Sequence, residues 1–206
     1  MQFSEWEPYY QEIIKYFGFD RAADEEAARL LASLLECDNL LSLASLVDGN
    51  EVTVCGNAPC LRDDLSKISG VVFAADAAAE ILDANGICPD AIFTDLDGAT
   101  DRFIGLNNEG TIIVIHAHGD NMPLLRHWVP RFKGRVVGTT QAAPLPHVYN
   151  FGGFSDGDRA VFAADELGAS HITLAGFDLD DQDVDPMKRG KLQWARKLLA
   201  LIGITA

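Results

Sequence analysis

What most constrains this chain is a series of short, β-rich apolar runs separated by alanine-rich or amphipathic stretches. The runs are Glu51–Cys55, Gly70–Ala74, Ala91–Thr94, Thr111–His116, Arg135–Gly138 and His171–Ala175, with helical patterns such as Ala77–Ala84 and Arg159–Leu167 between several of them. Strand, helix and strand in repeated succession imply right-handed βαβ units, which lay the strands parallel in one sheet. The residues before this series read differently. Apolar positions recur at helical spacing from Tyr9 to Phe17 and from Ala22 to Leu35, with Phe17-Gly18-Phe19-Asp20 as a break. Asp24, Glu25 and Glu26 suit the start of the second helix. The expected architecture is α/β: a Rossmann-like, mostly parallel sheet with helices on both faces over residues 48–206, behind a helical N-terminal extension over residues 1–47. That extension holds no convincing catalytic set. It is expected to be a packing element or an oligomer element, the latter giving a homo-oligomer through the N-terminal helices.

Of the 206 residues 48% are hydrophobic, which suffices for one domain with a sizeable core. Lys and Arg number 16 against 31 Asp and Glu, a formal net charge of −15. Such a balance excludes duplex nucleic acid as the expected partner, because its phosphates demand clustered cations, and it disfavours an anionic membrane surface equally. A small anionic substrate stays compatible, since Mg²⁺ and a few basic groups reverse the field inside one cleft. Solubility or salt adaptation accounts for the acidity just as well. Cys37, Cys55, Cys60 and Cys88 show neither C-x-x-C nor zinc-ligand spacing, and reduced thiols in a cytoplasmic protein are expected. The opening residues Met1–Pro8 lack the basic and apolar segments of a signal peptide, and no apolar run approaches a membrane span, so no membrane partner is expected.

An open parallel sheet binds its ligand beyond the carboxyl ends of the strands, and here those ends are polar. The first leads into Cys55-Gly56-Asn57-Ala58-Pro59-Cys60, with neither a dinucleotide fingerprint nor a P-loop; Gly56 and Asn57 form either a plain turn or a close backbone approach to phosphate. Asp76 follows the second, as a cap for the next helix or a ligand contact. The third ends in Thr94-Asp95-Leu96-Asp97-Gly98. In extended chain Asp95 and Asp97 share one side, so both carboxylates can meet one Mg²⁺, although Asp and Gly also serve simple turns. The fourth runs into His116-Ala117-His118-Gly119-Asp120-Asn121, which suits a transition metal, phosphate contacts, or two histidines satisfied by their own loop. Thr139, Thr140 and Gln141 after the fifth either read the edge of a heterocycle or form a structural loop. In Phe151-Gly152-Gly153-Phe154-Ser155-Asp156-Gly157-Asp158-Arg159, Ser155 and Asp158 form a capping pair, while Gly152, Gly153 and Arg159 at a helix start suit phosphate. Asp178 ends the last strand, and Lys188, Arg189 and Lys191 form a basic cluster that either starts a solvated helix or covers phosphates.

Thr94–Gly98, His116–Asn121, Gly138–Gln141 and Asn150–Arg159 resemble, in the same order, the motifs of the archaeal 6-hydroxymethyl-7,8-dihydropterin pyrophosphokinase family of the methanopterin pathway. The resemblance covers residues 50–180. A more distant likeness, through Pro89-Asp90 with the Asp-x-Asp step and the later Gly-Gly loop, is to thiamin pyrophosphokinase. The family's first glycine loop often reads Gly-Pro-Ser; here it is Gly56-Asn57-Ala58-Pro59-Cys60, without that serine. The resemblance implies transfer of diphosphate from ATP to a reduced pterin with Mg²⁺, in tetrahydromethanopterin or folate-type synthesis. It casts Asp95 and Asp97 as metal ligands, with Asp120, Asp156 or Asp158 completing or orienting the shell. It makes His116, His118 and Arg159 phosphate contacts or, for a histidine, a proton acceptor. Nucleotide and pterin would then be held among Gly56, Asn57, Asp76, His118, Asn121, Thr140, Gln141, Gly152, Gly153 and Ser155. A thiamin-directed enzyme and a nucleotide-binding protein without turnover are the alternatives.

Overall fold

The computed structural model describes residues 1–204. In chain order its main elements are α1 (Phe3–Phe17), α2 (Arg21–Leu34), α3 (Leu40–Val47), β1 (Glu51–Cys55), α4 (Leu61–Asp64), β2 (Val71–Ala75), α5 (Ala78–Ala84), β3 (Ala91–Thr94), α6 (Asp101–Glu109), β4 (Ile112–Ala117), α7 (Met122–Trp128), β5 (Val136–Thr140), β6 (Val148–Tyr149), α8 (Asp156–Glu166), β7 (His171–Ala175) and α9 (Pro186–Leu201). The strands form one sheet in the order β6-β5-β4-β3-β2-β1-β7, and every pair is parallel.

Because the middle strands are buried on both faces, they are apolar nearly throughout, and the pleat sends alternate residues to opposite cores. Val52, Val54, Phe73, Phe93 and Val114 meet α1, α3, α8 and α9 through Trp6, Tyr10, Ile13, Leu43, Val161 and Leu198. Val72, Ala74, Ile92, Ile113 and Ile115 meet α2, α5, α6 and α7 through Ala28, Leu31, Leu82, Phe103, Leu106 and Leu125. The α/β architecture with helices on both faces is thus present, and the sheet is wholly parallel. The helices of residues 1–47 are shared between the two cores: α1 and α3 cover one face, and α2 the other.

From β1 to β6 the chain advances across the sheet in one direction. The crossover through α8 then returns it to the far side of β1, where β7 pairs. This reversal makes the carboxyl ends of β1 and β7 the topological switch point, where open α/β sheets place ligands. The two loops there nearly touch. A Cβ on Gly56 would lie 2.6 Å from the Gly176 carbonyl oxygen, so only glycine admits the approach.

The sequence places β2, β4 and β5 within one or two residues of their observed bounds. Gly70 precedes β2 with φ +68°, outside strand geometry. Strand β5 runs on through Thr139 and Thr140, which pair with His116 and Ala117. The two-residue β6 is too short for an alternating pattern to reveal.

Candidate functional site

Three carboxylates converge at the carboxyl end of the sheet. Asp76 follows β2, Asp95 follows β3 and Asp156 opens α8; each offers an oxygen within 4.8 Å of the others. Thr94 ties the first two together: its hydroxyl donates to Asp76 Oδ1 at 2.7 Å and accepts from Leu96 N at 2.8 Å. Two non-glycine residues here adopt left-handed backbone, Asp76 (φ 44°) and Leu96 (φ 74°). Each costs on the order of 1–3 kcal/mol and persists because the surroundings over-determine it. Gly98 leaves room for the Asp76 carboxylate, which a Cβ would overlap. Asn121 clamps the neighbouring loop, donating Nδ2 to the Asp95 and His116 carbonyls at 2.8 and 2.7 Å while Oδ1 accepts from His118 N at 3.1 Å. That clamp sets His118 Nε2 3.5 Å from Asp95 Oδ2.

The electrostatics of this group are those of a site that wants a cation. Burial pushes the Asp156 carboxyl well above its ordinary range; Arg159 opposes the shift, while Asp95, Asp76 and Asp97 add to it. Burial likewise raises Asp76, against the Thr94 hydrogen bond and with the Asp95 charge. Burial alone would raise Asp95 too, but the His118 hydrogen bond and the Arg159 charge outweigh it and hold that carboxyl low. The donors are all carboxylate oxygens, the set preferred by hard divalent cations such as Mg²⁺. Asp76, Asp95 and Asp156 therefore fit a metal of that kind.

The geometry revises several expectations. Asp97 is not in the triad. Leu96 leaves extended geometry, and Asp97 stands at the exposed rim, its carboxyl beside that of Asp95 but outside the group of three. Desolvation in the cleft raises its carboxyl to about 6, helped by Asp95 and Asp76. Asp158 is fully buried and holds no ligand position: it accepts from Phe154 N and Ser155 N at 2.6 and 2.8 Å and from the Ser155 hydroxyl, capping α8. Asp120 is exposed and apart from the triad. Asp76 does not cap α5, whose N-cap is Ala77 without a side-chain bond.

His116 lies beneath the site. Thr139 spends its hydroxyl proton on the Ile115 carbonyl at 3.0 Å, so toward His116 Nδ1, 3.2 Å away, it accepts. That assigns the proton to Nδ1 and leaves the buried Nε2 as a bare acceptor without a partner. Burial, then the charges of Arg159 and His118, push this imidazole well below its ordinary range, so it is neutral. Arg159 donates to Asp156 Oδ1 at 3.0 Å and to the Phe154 carbonyl, which ties it to Asp156, while its buried Nε keeps no partner. The glycine loop is also less open than its composition suggests. Gly152 N donates to Asn150 Oδ1 at 2.9 Å, and the amides of Phe154 and Ser155 serve Asp158. Gly153 packs against the Arg159 backbone too closely for a side chain. Thr140 Oγ1 accepts from Ala142 N at 3.2 Å.

Two cavities lie near the triad, the first lined by two of its members and the second reached through His118. One, of about 240 Å³, sits at the switch point; Gly56, Asn57, Ser155, Gly157, Phe177 and Lys188 line it together with four carboxylates, Asp76, Asp156, Asp178 and Asp181. The basic cluster is divided there: Lys188 lines this cavity, whereas Arg189 bonds the Gln182 carbonyl at 2.7 Å. The other cavity, of about 300 Å³, lies beside His118 and is lined by Phe19, Asp20, Asp24, Asp120 and Gln141.

Sequence reasoning gave Asp24 no role beyond a helix start, yet it is a hub. Only 3% exposed, its carboxylate accepts from Tyr10 Oη and Gln141 Nε2 at 2.7 Å each and from Gly119 N at 2.8 Å. The signal was present. Asp24 shares the stripe of Ala27, Ala28 and Leu31, and a carboxylate on a buried helix face demands partners.

The family described as MptE-like 6-hydroxymethylpterin diphosphokinase matches residues 26–184. Three archaeal proteins named 6-hydroxymethyl-7,8-dihydropterin pyrophosphokinase are similar over 97% of this chain. That of Methanothermobacter thermautotrophicus is 39% identical and covered to 94% of its length. That of Pyrococcus furiosus is 40% identical and covered to 93%. That of Methanocaldococcus jannaschii is 33% identical and covered to 95%.

Proposed function

Because the chain belongs to the MptE-like 6-hydroxymethylpterin diphosphokinase family, we propose that it transfers diphosphate from ATP to the hydroxymethyl group of 6-hydroxymethyl-7,8-dihydropterin. The observation that carries this reading is the convergence of Asp76, Asp95 and Asp156 at the wall of the switch-point cavity, with His118 linking Asp95 to a second cavity. In the reaction the acceptor hydroxyl oxygen bonds to the β-phosphorus, the bond from that phosphorus to the α–β bridging oxygen breaks, and AMP leaves; the hydroxyl loses its proton.

Such a transfer needs positioning and charge neutralisation more than a strong base. Asp76, Asp95 and Asp156 would hold Mg²⁺, which would supply charge to offset the polyphosphate. Asp95 and Asp156 keep their places through His118 and Arg159. Gly157, Asn57 and Lys188 line the switch-point cavity, where the helix start and the ammonium suit the ATP phosphates. His118 lines the second cavity with Nε2 toward Asp95 Oδ2, a position suited to orienting that carboxylate, and the hydroxyl proton passes to water. Reduced thiols, a cytoplasmic setting and a place in tetrahydromethanopterin or folate-type synthesis accord with this activity.

The test incubates the purified protein with ATP, Mg²⁺ and the dihydropterin, with and without EDTA, and separates the products by chromatography. AMP and pterin diphosphate in equal amounts, abolished by EDTA, is the expected result. Release of ADP, or AMP formation indifferent to the pterin, would sink the reading; thiamin as parallel acceptor is expected to be inert.

A further inference from the structure

The second cavity carries an inference that deepens this reading and rests on it. Its walls come from the α1–α2 turn (Gly18, Phe19, Asp20), the first turn of α2 (Ala23, Asp24), the loop after β4 (His118 to Asp120) and Gln141. Asp20, Asp24 and Asp120 contribute three carboxyl groups, and neither lysine nor arginine lines it. A polyphosphate is repelled by such walls unless a bound cation offsets them, and the carboxylates that fit a cation, Asp76 and Asp156, line the other cavity and not this one, whereas a neutral ring bearing N–H groups is welcomed here. At about 300 Å³ it lies at the small end of ligand pockets, which run from about 300 to 1,000 Å³.

One polar atom here is unexplained by the fold. Gln141 is 4% exposed, and its Oε1 is buried without a hydrogen-bond partner. Its orientation is settled by its neighbour: Asp24 Oδ2 accepts, so the amide must turn Nε2 toward it, at 2.7 Å, and the free atom is the carbonyl oxygen. Three further contacts hold this arrangement. Tyr10 Oη and Gly119 N fix Asp24, and Trp6 Nε1 donates to the Gln141 backbone carbonyl at 2.8 Å. A lone buried acceptor, held this rigidly, costs folding free energy unless a donor arrives to meet it.

We propose that this cavity is the acceptor subsite, in which Gln141 Oε1 accepts from the amino-pyrimidinone edge of the pterin. Phe19, stacked on Phe17, supplies an apolar wall, and Asp20 keeps one carboxylate oxygen beyond the one that accepts from Ala22 N at 2.9 Å. The hydroxymethyl arm then lies toward His118 and Asp95, and ATP occupies the cavity across the triad. The N-terminal helices thereby acquire a role in substrate choice, because Trp6, Tyr10 and Asp24 hold the reading amide in place.

The test is isothermal titration of the full chain with 6-hydroxymethyl-7,8-dihydropterin, with its 2-deamino analogue, and separately with ATP. Losing one hydrogen bond to a buried acceptor corresponds to about tenfold in affinity. Gln141→Leu is expected to weaken pterin binding about tenfold or more, leave ATP binding unchanged, and abolish the preference for the pterin over the analogue. Should that variant not fold, Gln141→Asn, which keeps an amide in the core and withdraws the oxygen by one carbon, is measured in the same way. Pterin affinity and preference unchanged in the folded variant would overturn the subsite. A wild-type chain that neither binds the pterin nor converts it would instead sink the function on which the subsite rests.

Discussion

Asp95 and Asp97 stand two residues apart with left-handed Leu96 between them; Asp95 belongs to the group with Asp76 and Asp156, and Asp97 lies beside Asp95 at the exposed rim. The two carboxylates should therefore respond differently to loss of charge. Asp95→Asn removes a ligand and is expected to weaken Mg²⁺ binding by at least about 100-fold, since even changes in the residues supporting a metal ligand cost about 10–100-fold. Asp97→Asn is expected to stay within about tenfold of wild type. Magnesium titration of both proteins checks this, and equal losses would restore the Asp-x-Asp pair as the metal site.

Among the elements, α1 is the informative one. Trp6, Tyr10 and Ile13 are fully buried in the core shared with β1, β2 and β3, and Trp6 also bonds the Gln141 carbonyl. Removing a buried indole costs about 3–5 kcal/mol through lost burial and the cavity left behind. Trp6→Ala is accordingly expected to lower stability by about that amount within a single urea transition. A loss below about 1 kcal/mol, or a separate early transition, would mark α1 as an appendage. Helix α8 shows the opposite economy. Its first turn gives Asp156 to the triad and Asp158 to the cap, so function and helix start share one turn.

For the whole molecule, the crowded carboxylates link stability to pH and metal. Asp97, Asp156 and Asp76 all have carboxyls raised above their ordinary values in the folded state, Asp97 to about 6. A raised folded pKa means the native state binds the proton more tightly than the unfolded chain does. The stability this contributes is full below the unfolded carboxylate range and is lost as pH rises through the folded values. Asp95, held low, acts oppositely but only in stronger acid. In EDTA the protein is expected to melt at a higher temperature near pH 5 than near pH 7.5, and Mg²⁺ should raise the melting temperature chiefly at the higher pH. Thermal melts at both pH values check this; a metal-free protein more stable at pH 7.5 would contradict the crowding.

The amino-acid sequence by itself determined the parallel α/β architecture, because burial on both faces writes apolar runs such as Ile112–Ala117 directly into the chain. It also placed the polar loops at one edge of the sheet, since strand direction follows from the βαβ order. Which carboxylates meet was decided only in three dimensions. Asp76, Asp95 and Asp156 lie far apart in the chain, and their convergence depends on the left-handed turns at Asp76 and Leu96, which local spacing does not encode. The same holds for Gln141, whose free oxygen is defined by a carboxylate 117 residues away. Periodicity is a local property of a chain, whereas a site is made by distant segments whose side chains must satisfy one another in a shared, water-poor space.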